Sequence, residues 1–326
     1  MNRSLSVLHC VCALLGAAAL AAAAPAGAQH YPAKPVRILV GFAPGGGTDI
    51  MARAVAAKLT EYMKQQFIVE NRPGANANLA AKLAAESPPD GYTILFMSVA
   101  HIMSKPVYRN LGYDIERDLT PITVVSEVSN VLAAHPSLPA KTVKEVVALA
   151  RAKPGELTYA TSGVGSPEHF AGEMFKMMTG THLLPVPYKG GGPIAIDLVA
   201  GHVMTSFSTM PPIIPHIRAG RVRAVAVTQA RRAAVLPEVP TIAESVPGYA
   251  MSTWYGAVAP AKTPREIVMR LNQEMLKALA VPEVRERLAS LGADIVASSP
   301  EDTAAFFRSE LAKYTKVAQA ANIRAD

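Results

Sequence analysis

From residue 34 onward, short apolar runs alternate with stretches whose apolar residues recur at helical spacing. The first three runs that are typical of strands lie at 36–41, 67–69 and 93–97. The first helical stretch places large side chains on one face, at Met51, Val55, Leu59 and Tyr62. Alternation of this kind is typical of a parallel sheet covered by helices, so we predict an α/β fold.

A second alternating set begins with a helix at Thr142, whose hydroxyl and Glu145 form a predicted capping box. Extended apolar runs at 123–135 and 251–259 flank this set, and the end of the chain is predicted to be helical. The chain is thus predicted to enter a second domain once and to return once. The predicted organisation is a signal peptide at 1–28, domain 1 at 29–128 and 253–326, and domain 2 at 129–252.

The first 28 residues differ from the rest of the chain. Arg3 precedes an alanine-rich apolar stretch at 7–24, and Ala26, Gly27 and Ala28 form a small-residue site for a signal peptidase. The alternative is a membrane anchor, since the stretch is nearly long enough to span a bilayer. The cleavage site favours a secretory signal, and we predict export to the periplasm.

Both cysteines, Cys10 and Cys12, lie inside the predicted signal. The mature chain of 326 minus 28, or 298, residues therefore has no cysteine, which excludes disulfides, thiol nucleophiles and Cys-ligated metals. The histidines lack the paired spacing of a metal site, so we predict neither a metal nor a cofactor.

The composition limits which kinds of binding partner the chain is suited to. Apolar residues make up 50% and charged residues 17% of the chain, which excludes intrinsic disorder. Lys and Arg number 32 against 25 Asp and Glu, a formal net charge of +7, yet no basic run interleaved with aromatic residues marks a nucleic-acid surface. The diffuse positive charge suits an anionic small molecule, and we expect a monomer.

The first candidate ligand loop comprises Gly45, Gly46, Gly47, Thr48 and Asp49, between a predicted strand and a predicted helix. Backbone N–H groups at a helix N-terminus attract anions, and glycines let a ligand approach the backbone closely. A nucleotide site is disfavoured because Gly-x-Gly-x-x-Gly is absent and Thr48-Asp49, not Lys-Ser or Lys-Thr, follows the glycines of this loop. The alternative is a flexible turn before a capped helix.

The second candidate loop repeats this arrangement in the second alternating set. It comprises Thr161, Ser162, Gly163, Gly165 and Ser166, and His169 follows one turn into the next helix. Two such loops, one in each domain, could close on one carboxylate ligand. The alternatives are two ordinary helix caps, or an exported hydrolase that uses Ser162 or Ser166 with His169, although Gly-x-Ser-x-Gly is absent.

Two further features of the sequence each allow two interpretations. A glycine-rich turn at 187–193 is either part of the site or a surface turn with a solvated Lys189. Trp254, the one tryptophan, lies beside Tyr255 in the second extended run and belongs either to a cleft or to the core. We include Trp254 among the candidate ligand-binding residues.

In this order, the motifs resemble the Bug family, the extracytoplasmic solute receptors of tripartite tricarboxylate transporters. The resemblance runs from Tyr31 to Asn322. Besides the two loops it rests on Tyr31-Pro-x-Lys-Pro35, Glu70-Asn-Arg-Pro-Gly74, Pro89-Asp-Gly-Tyr-Thr93, Lys153-Pro-Gly155, Pro187-Tyr-Lys-Gly-Gly-Gly192 and Trp254-x-Gly256.

The resemblance implies a two-domain Venus-flytrap fold of the type II periplasmic-binding-protein kind. A ligand carboxylate is then held in the interdomain cleft by backbone N–H groups, hydroxyls and waters, with loops 45–49 and 161–166 on opposite sides. The resemblance also places Ser98 and His101 at the cleft. Many relatives have an Asn-Pro pair where this chain has Ser104 and Lys105, which alters either the polarity of the cleft or the adjoining turn.

The leading hypothesis is therefore a periplasmic receptor, without enzymatic activity, that passes a small carboxylate to a membrane permease. A serine hydrolase and a ligand sensor for a membrane signalling partner are the alternatives. Dicarboxylates, tricarboxylates, acidic amino acids and aromatic carboxylates all suit the predicted site.

Overall fold

A computed structural model describes residues 31–325, and the predicted signal peptide at 1–28 lies outside them. The first part of the chain forms parallel strands β1 (Val36–Val40), β2 (Phe67–Asn71) and β3 (Thr93–Ser98), with β1 paired to both others. Helices α1 (Gly47–Met63), α2 (Asn78–Ala85) and α3 (Val99–Val107) follow them in turn. The predicted α/β alternation is confirmed here.

One long strand connects two halves of the sheet. Strand β4 (Leu119–Ala134) pairs through its first residues with β9 (Ser252–Pro260) and β10 (Ala293–Ile295), both antiparallel. Its last residues, from Asn130, pair with β7 (Thr205–Thr209) and β8 (Arg223–Val227). The path of strands is β2-β1-β3-β9-β4-β7-β5-β6, with β5 (Thr158–Thr161) and β6 (Leu184–Pro187) parallel to each other at one end.

We call the part built on β1–β3, β9, β10 and the start of β4 the first lobe, and the part built on β5–β8 and the end of β4 the second lobe. The predicted boundary at 128/129 falls inside β4, and that at 252/253 falls at the start of β9. Because both lobes share β4 and belong to one compact unit, residues 34–326, these domain limits remain a prediction.

The second lobe carries the helices that follow its strands. These are α4 (Val143–Ala152), α5 (Pro167–Thr179), α6 (Gly191–Ala200) and α7 (Met210–Arg218). The predicted capping box of α4 is confirmed, because the Thr142 side chain accepts a hydrogen bond from the Glu145 N–H and the Glu145 carboxylate accepts one from the Thr142 N–H.

Helices α3 and α7 were not predicted from the sequence. Both contain proline: Pro106 lies inside α3, Pro215 lies inside α7, and Pro211 and Pro212 lie in the first turn of α7. Proline in the first turn removes no intrahelical hydrogen bond, since the first N–H groups have no partner there, so Pro211 and Pro212 are compatible with the helix. These two helices matter because both begin at the candidate site.

Three C-terminal helices, as predicted, complete the first lobe: α8 (Arg265–Ala280), α9 (Pro282–Ser290) and α10 (Pro300–Ala320). Helix α10 packs on α3 and β4, and its Phe307 ring stacks on the indole of Trp254 with centroids 5.0 Å apart. Within the described residues, none of the helices combines the length and apolarity needed to cross a membrane.

Candidate functional site

A small cavity that is partly open to solvent lies where strands of both lobes end. Because strands β1, β3, β5 and β7 all direct their carboxyl ends to it, the cavity lies at the usual ligand position of an open α/β sheet. The residues that line it are Phe42, Gly46, Gly47, Thr48, Ser98, Ser162, Pro167, Glu168, Gly191, Thr209, Thr253 and Tyr255.

Within residues 31–325, five helices begin at this cavity, namely α1, α3, α5, α6 and α7. The N-terminal residues of α1, α6 and α7, which are Gly46, Gly190 and Thr209, make no side-chain cap. The positive ends of these helix dipoles and their first N–H groups therefore favour an anion. None of the described residues that line the cavity is Lys or Arg.

The first loop divides into residues that line the cavity and residues that shape the loop. Gly46, Gly47 and Thr48 line it. The Asp49 carboxylate instead accepts hydrogen bonds from the Gly45 N–H (3.0 Å), from Arg53 Nε (3.0 Å) and from Asn71 Nδ2 (2.9 Å). Burial alone would raise the pKa of Asp49, but the hydrogen bonds from Arg53, Gly45 and Asn71 hold it below the usual value. Asp49 and Gly45 thus fix the loop.

In the second loop, only Ser162 of the predicted ligand residues reaches the cavity. Its neighbours hold the turn: the Thr161 hydroxyl accepts from the Gly163 N–H (3.2 Å), and His169 Nδ1 accepts from the Gly165 N–H (3.3 Å). The Ser166 hydroxyl caps α5 by accepting from the His169 N–H at 3.2 Å. Among the hydrogen bonds of the described residues, none joins a serine hydroxyl to the His169 ring, as a serine nucleophile would require.

Ser98 lines the cavity and begins α3, whereas His101 does not line it. His101 completes the cap of α3, since its Nδ1 accepts from the Ser98 N–H at 3.3 Å. The ring is fully buried, and its Nε2 has no hydrogen-bond partner among the described residues. Burial lowers the pKa of His101 to about 4, so the ring is neutral near pH 7.

The structure places Trp254 in the core and not in the cavity, which corrects its inclusion among the ligand residues. Its indole N–H donates to a Glu310 carboxylate oxygen at 2.9 Å, and its ring packs on Phe306 and Phe307 of α10. Because successive side chains of a strand point to opposite faces, Tyr255 lies on the other side and lines the cavity. The alternation of side chains along a strand is therefore the sequence signal that separates Trp254 from Tyr255.

Several residues that line the cavity were not among the predicted ligand residues. Thr209 was hidden with α7, and Gly191 belongs to the glycine-rich turn whose role was left open. Tyr255 explains one glycine: a Cβ on Gly47 would lie 2.0 Å from the Tyr255 hydroxyl oxygen. Glu168, the second residue of α5, resembles an ordinary acidic residue in a first helical turn.

Ser104 and Lys105, where the chain departs from many relatives, lie in α3, and neither lines the cavity. The Ser104 hydroxyl accepts hydrogen bonds from Asn76 Nδ2 (3.2 Å) and Asn78 Nδ2 (3.1 Å). The Lys105 ammonium pairs with Asp114 at 3.2 Å and with Glu116 at 2.5 Å.

The glycine-rich turn at 187–193 brings the two lobes together beside the cavity. The Ala43 N–H of the first lobe donates to the Lys189 carbonyl of the second at 2.9 Å, and a Cβ on Gly192 would lie only 2.4 Å from the Pro44 carbonyl oxygen. The two backbones therefore pack directly on each other. A wider recess adjoins the cavity, since Phe42 and Ser162 line both.

The fold is that of the periplasmic solute-binding proteins. The structure of the periplasmic binding protein BugD matches with a TM-score of 0.88 at 30% identity, over 91% of this chain and 100% of that one. Residues 51–323 match the model of the tripartite tricarboxylate transporter family receptors. The chain belongs to this receptor family.

Two further relatives are similar over nearly the whole chain. Protein BugT of Bordetella pertussis strain Tohama I is 35% identical over 320 residues, 97% of this chain and 97% of its own. The structure of R. palustris Rpa4515 with adipate has a TM-score of 0.87 at 39% identity, and the match covers 90% of this chain and 99% of that one. The resemblance to the Bug family is thus confirmed, and the chain is a solute receptor and not an enzyme.

Proposed function

We propose that this receptor captures a small carboxylate in the cavity and delivers it to the permease of a tripartite tricarboxylate transporter. The convergence of five helix N-termini on one cavity carries the proposal. We further propose that residues 1–28 direct export and are removed, and that the mature protein acts in the periplasm as a monomer. The related structure of R. palustris Rpa4515 was determined with adipate, which supports a carboxylate as the ligand class.

The ligand carboxylate is assigned to the first loop. Gly46 leaves α1 without a side-chain cap, so the N–H groups that begin this helix are not used by a capping side chain. Thr48 is 5% exposed and lines the cavity, where its hydroxyl adds a donor. Oriented dipoles at helix N-termini stabilise an anion without a cationic side chain.

Capture is proposed to couple to closure of the lobes. Gly46, Gly47 and Thr48 come from the first lobe, whereas Ser162, Gly191 and Thr209 come from the second. A ligand in the cavity contacts both sets only when the lobes lie together, so it favours that arrangement. Dicarboxylates, tricarboxylates, acidic amino acids and aromatic carboxylates are the candidate ligands.

A thermal-shift screen of the mature protein against a carboxylate panel tests the ligand class. A ligand that binds only the folded state at a hundredfold excess over its Kd stabilises it by about 2.7 kcal/mol, so we expect the melting temperature to rise by several degrees. Failure of every carboxylate in the panel to raise the melting temperature would contradict the proposal.

Thr48 variants test the assignment of the site. We expect Thr48→Val, which removes the hydroxyl and keeps the volume, to weaken binding of the panel's best carboxylate by about tenfold or more. Thr48→Ser, which keeps the hydroxyl, serves as the matched control in titration calorimetry. Equal affinities for Thr48→Val and the wild type would refute a role for this hydroxyl.

Delivery to a permease is tested by coprecipitation from membranes and by solute uptake. We expect the receptor to coprecipitate with a tripartite tricarboxylate permease and uptake of the bound carboxylate to depend on it. Coprecipitation with a histidine kinase, together with uptake that does not depend on the receptor, would favour the sensor alternative.

A further inference from the structure

Glu168 is an acidic residue in a cavity that otherwise favours anions. Only 3% of its surface is exposed, and it lines the cavity as the second residue of α5, directly after Pro167. Apart from Glu168, the described residues that line the cavity carry no carboxyl group. The chain therefore brings its own carboxyl group to the site that is proposed to bind a carboxylate.

The donors of the second loop lie beside this carboxyl group. Burial raises the pKa of Glu168, and the nearby Ser162 and Ser166 oppose that shift. The hydroxyls that suggested a ligand-binding loop in the sequence thus lie next to the chain's own carboxyl group. This side of the cavity offers less to a second ligand carboxylate than the loop composition implies.

One oxygen of Glu168 remains without a partner. Glu168 Oε2 is buried and makes no hydrogen bond to the described residues. A buried acceptor without a donor is unfavourable, and a ligand that supplies the donor removes this penalty.

We propose that Glu168 Oε2 accepts a hydrogen bond from the ligand, so that the receptor selects carboxylates that carry an ammonium, amino or hydroxyl group over the same skeleton without it. This inference rests on the proposed function. The ligand carboxylate lies at the uncapped starts of α1, α6 and α7, and its donor faces α5. A second carboxylate placed against Glu168 would instead oppose two acceptors, with no cation between them.

Matched ligands separate this preference from carboxylate binding in general. The series are succinate, malate and aspartate; tricarballylate and citrate; and benzoate, 2-hydroxybenzoate and 2-aminobenzoate. Within the series that the wild-type protein binds, we expect the donor-bearing member to bind about tenfold or more tightly by calorimetry, because the unsubstituted member leaves a buried acceptor unpaired.

Glu168→Gln tests whether this residue is the cause. The glutamine amide keeps the shape of the side chain but places a hydrogen-bond donor where the carboxylate had an acceptor. We therefore expect the preference for the donor-bearing ligand to fall to about threefold or less, or to reverse. Glu173→Gln is the matched control, since it removes the same charge from the same helix outside the cavity, where Glu173 accepts from the Tyr159 hydroxyl at 2.8 Å. It should keep the wild-type preference.

The outcomes distinguish the two proposals. Carboxylates that bind the wild type without preference for the donor-bearing member overturn the inference and leave the proposed function standing, whereas no binding in any series overturns both. A preference that survives unchanged in Glu168→Gln also overturns the inference. If that variant does not fold, Glu168→Asp replaces it, because the shorter side chain withdraws the carboxyl oxygens from the ligand. We then expect Glu168→Asp to reduce the preference, and an unchanged preference overturns the inference.

Discussion

Gly192→Ala is expected to remove most of the ligand affinity while the protein stays folded. The new Cβ would lie 2.4 Å from the Pro44 carbonyl oxygen, a backbone atom of the opposite lobe. The lobes must therefore separate to admit it, and overpacking of this kind costs about 1–3 kcal/mol, or roughly 5- to 150-fold in affinity. Gly192 lies in the first turn of α6, where alanine is favourable, so the melting temperature without ligand should not fall.

Ile196→Ala is the control for this experiment. Ile196 lies in the same helix, is 67% exposed and does not line the cavity, so we expect the affinity to stay unchanged. Titration calorimetry measures both variants, and small-angle scattering reports whether Gly192→Ala adopts a more open arrangement with ligand present. Equal affinities for Gly192→Ala and the wild type would show that close packing of these turns is not required for binding.

His101 is expected to make the folded state sensitive to acid. The folded protein keeps this ring neutral down to a pKa of about 4, whereas the unfolded chain protonates it near 6.5. The unfolded state thus binds more protons between these values, and the free energy of unfolding falls as the pH falls through this window. The full difference amounts to about 3 kcal/mol. Above pH 6.5 this contribution is complete.

Urea denaturation of the wild type and of His101→Gln, between pH 7.5 and pH 4, measures this effect. Glutamine at this position of a capping box can still accept from the Ser98 N–H, so the cap is kept while the titrating group is lost. Burial raises the pKa of Glu168, which has the opposite effect on stability, but Glu168 is present in both proteins and cancels in the comparison. Parallel pH profiles for the two proteins would contradict a neutral, buried His101.

The helices and strands were predictable where the spacing of apolar residues matches the face that each element buries. The spacing of Met51, Val55 and Leu59 predicted α1 because these side chains lie on the buried face of that helix. The prolines of α7 concealed a helix because their unfavourable effect depends on position, which a pattern of apolar residues does not reveal.

The site was predicted only in part, since loop composition does not tell which groups face inward. Gly46, Gly47, Thr48, Ser98 and Ser162 line the cavity, and the predicted residues around them hold the turns by hydrogen bonds. A serine or aspartate can do either, because its side chain binds a neighbouring N–H as readily as a ligand. Glu168 could be identified only once its burial and its unpaired oxygen were visible.

The burial of Trp254 determines what intrinsic fluorescence reports in this protein. Trp254 is the one tryptophan of the chain, it is 1% exposed, and it lies between β9 and α10 on the face opposite the cavity-lining Tyr255. Indole emission depends on the polarity of the immediate surroundings, which ligand entry leaves unchanged here. The emission maximum therefore follows unfolding of the first lobe, and a probe of occupancy must be introduced at the recess, beside Lys189 or Arg324.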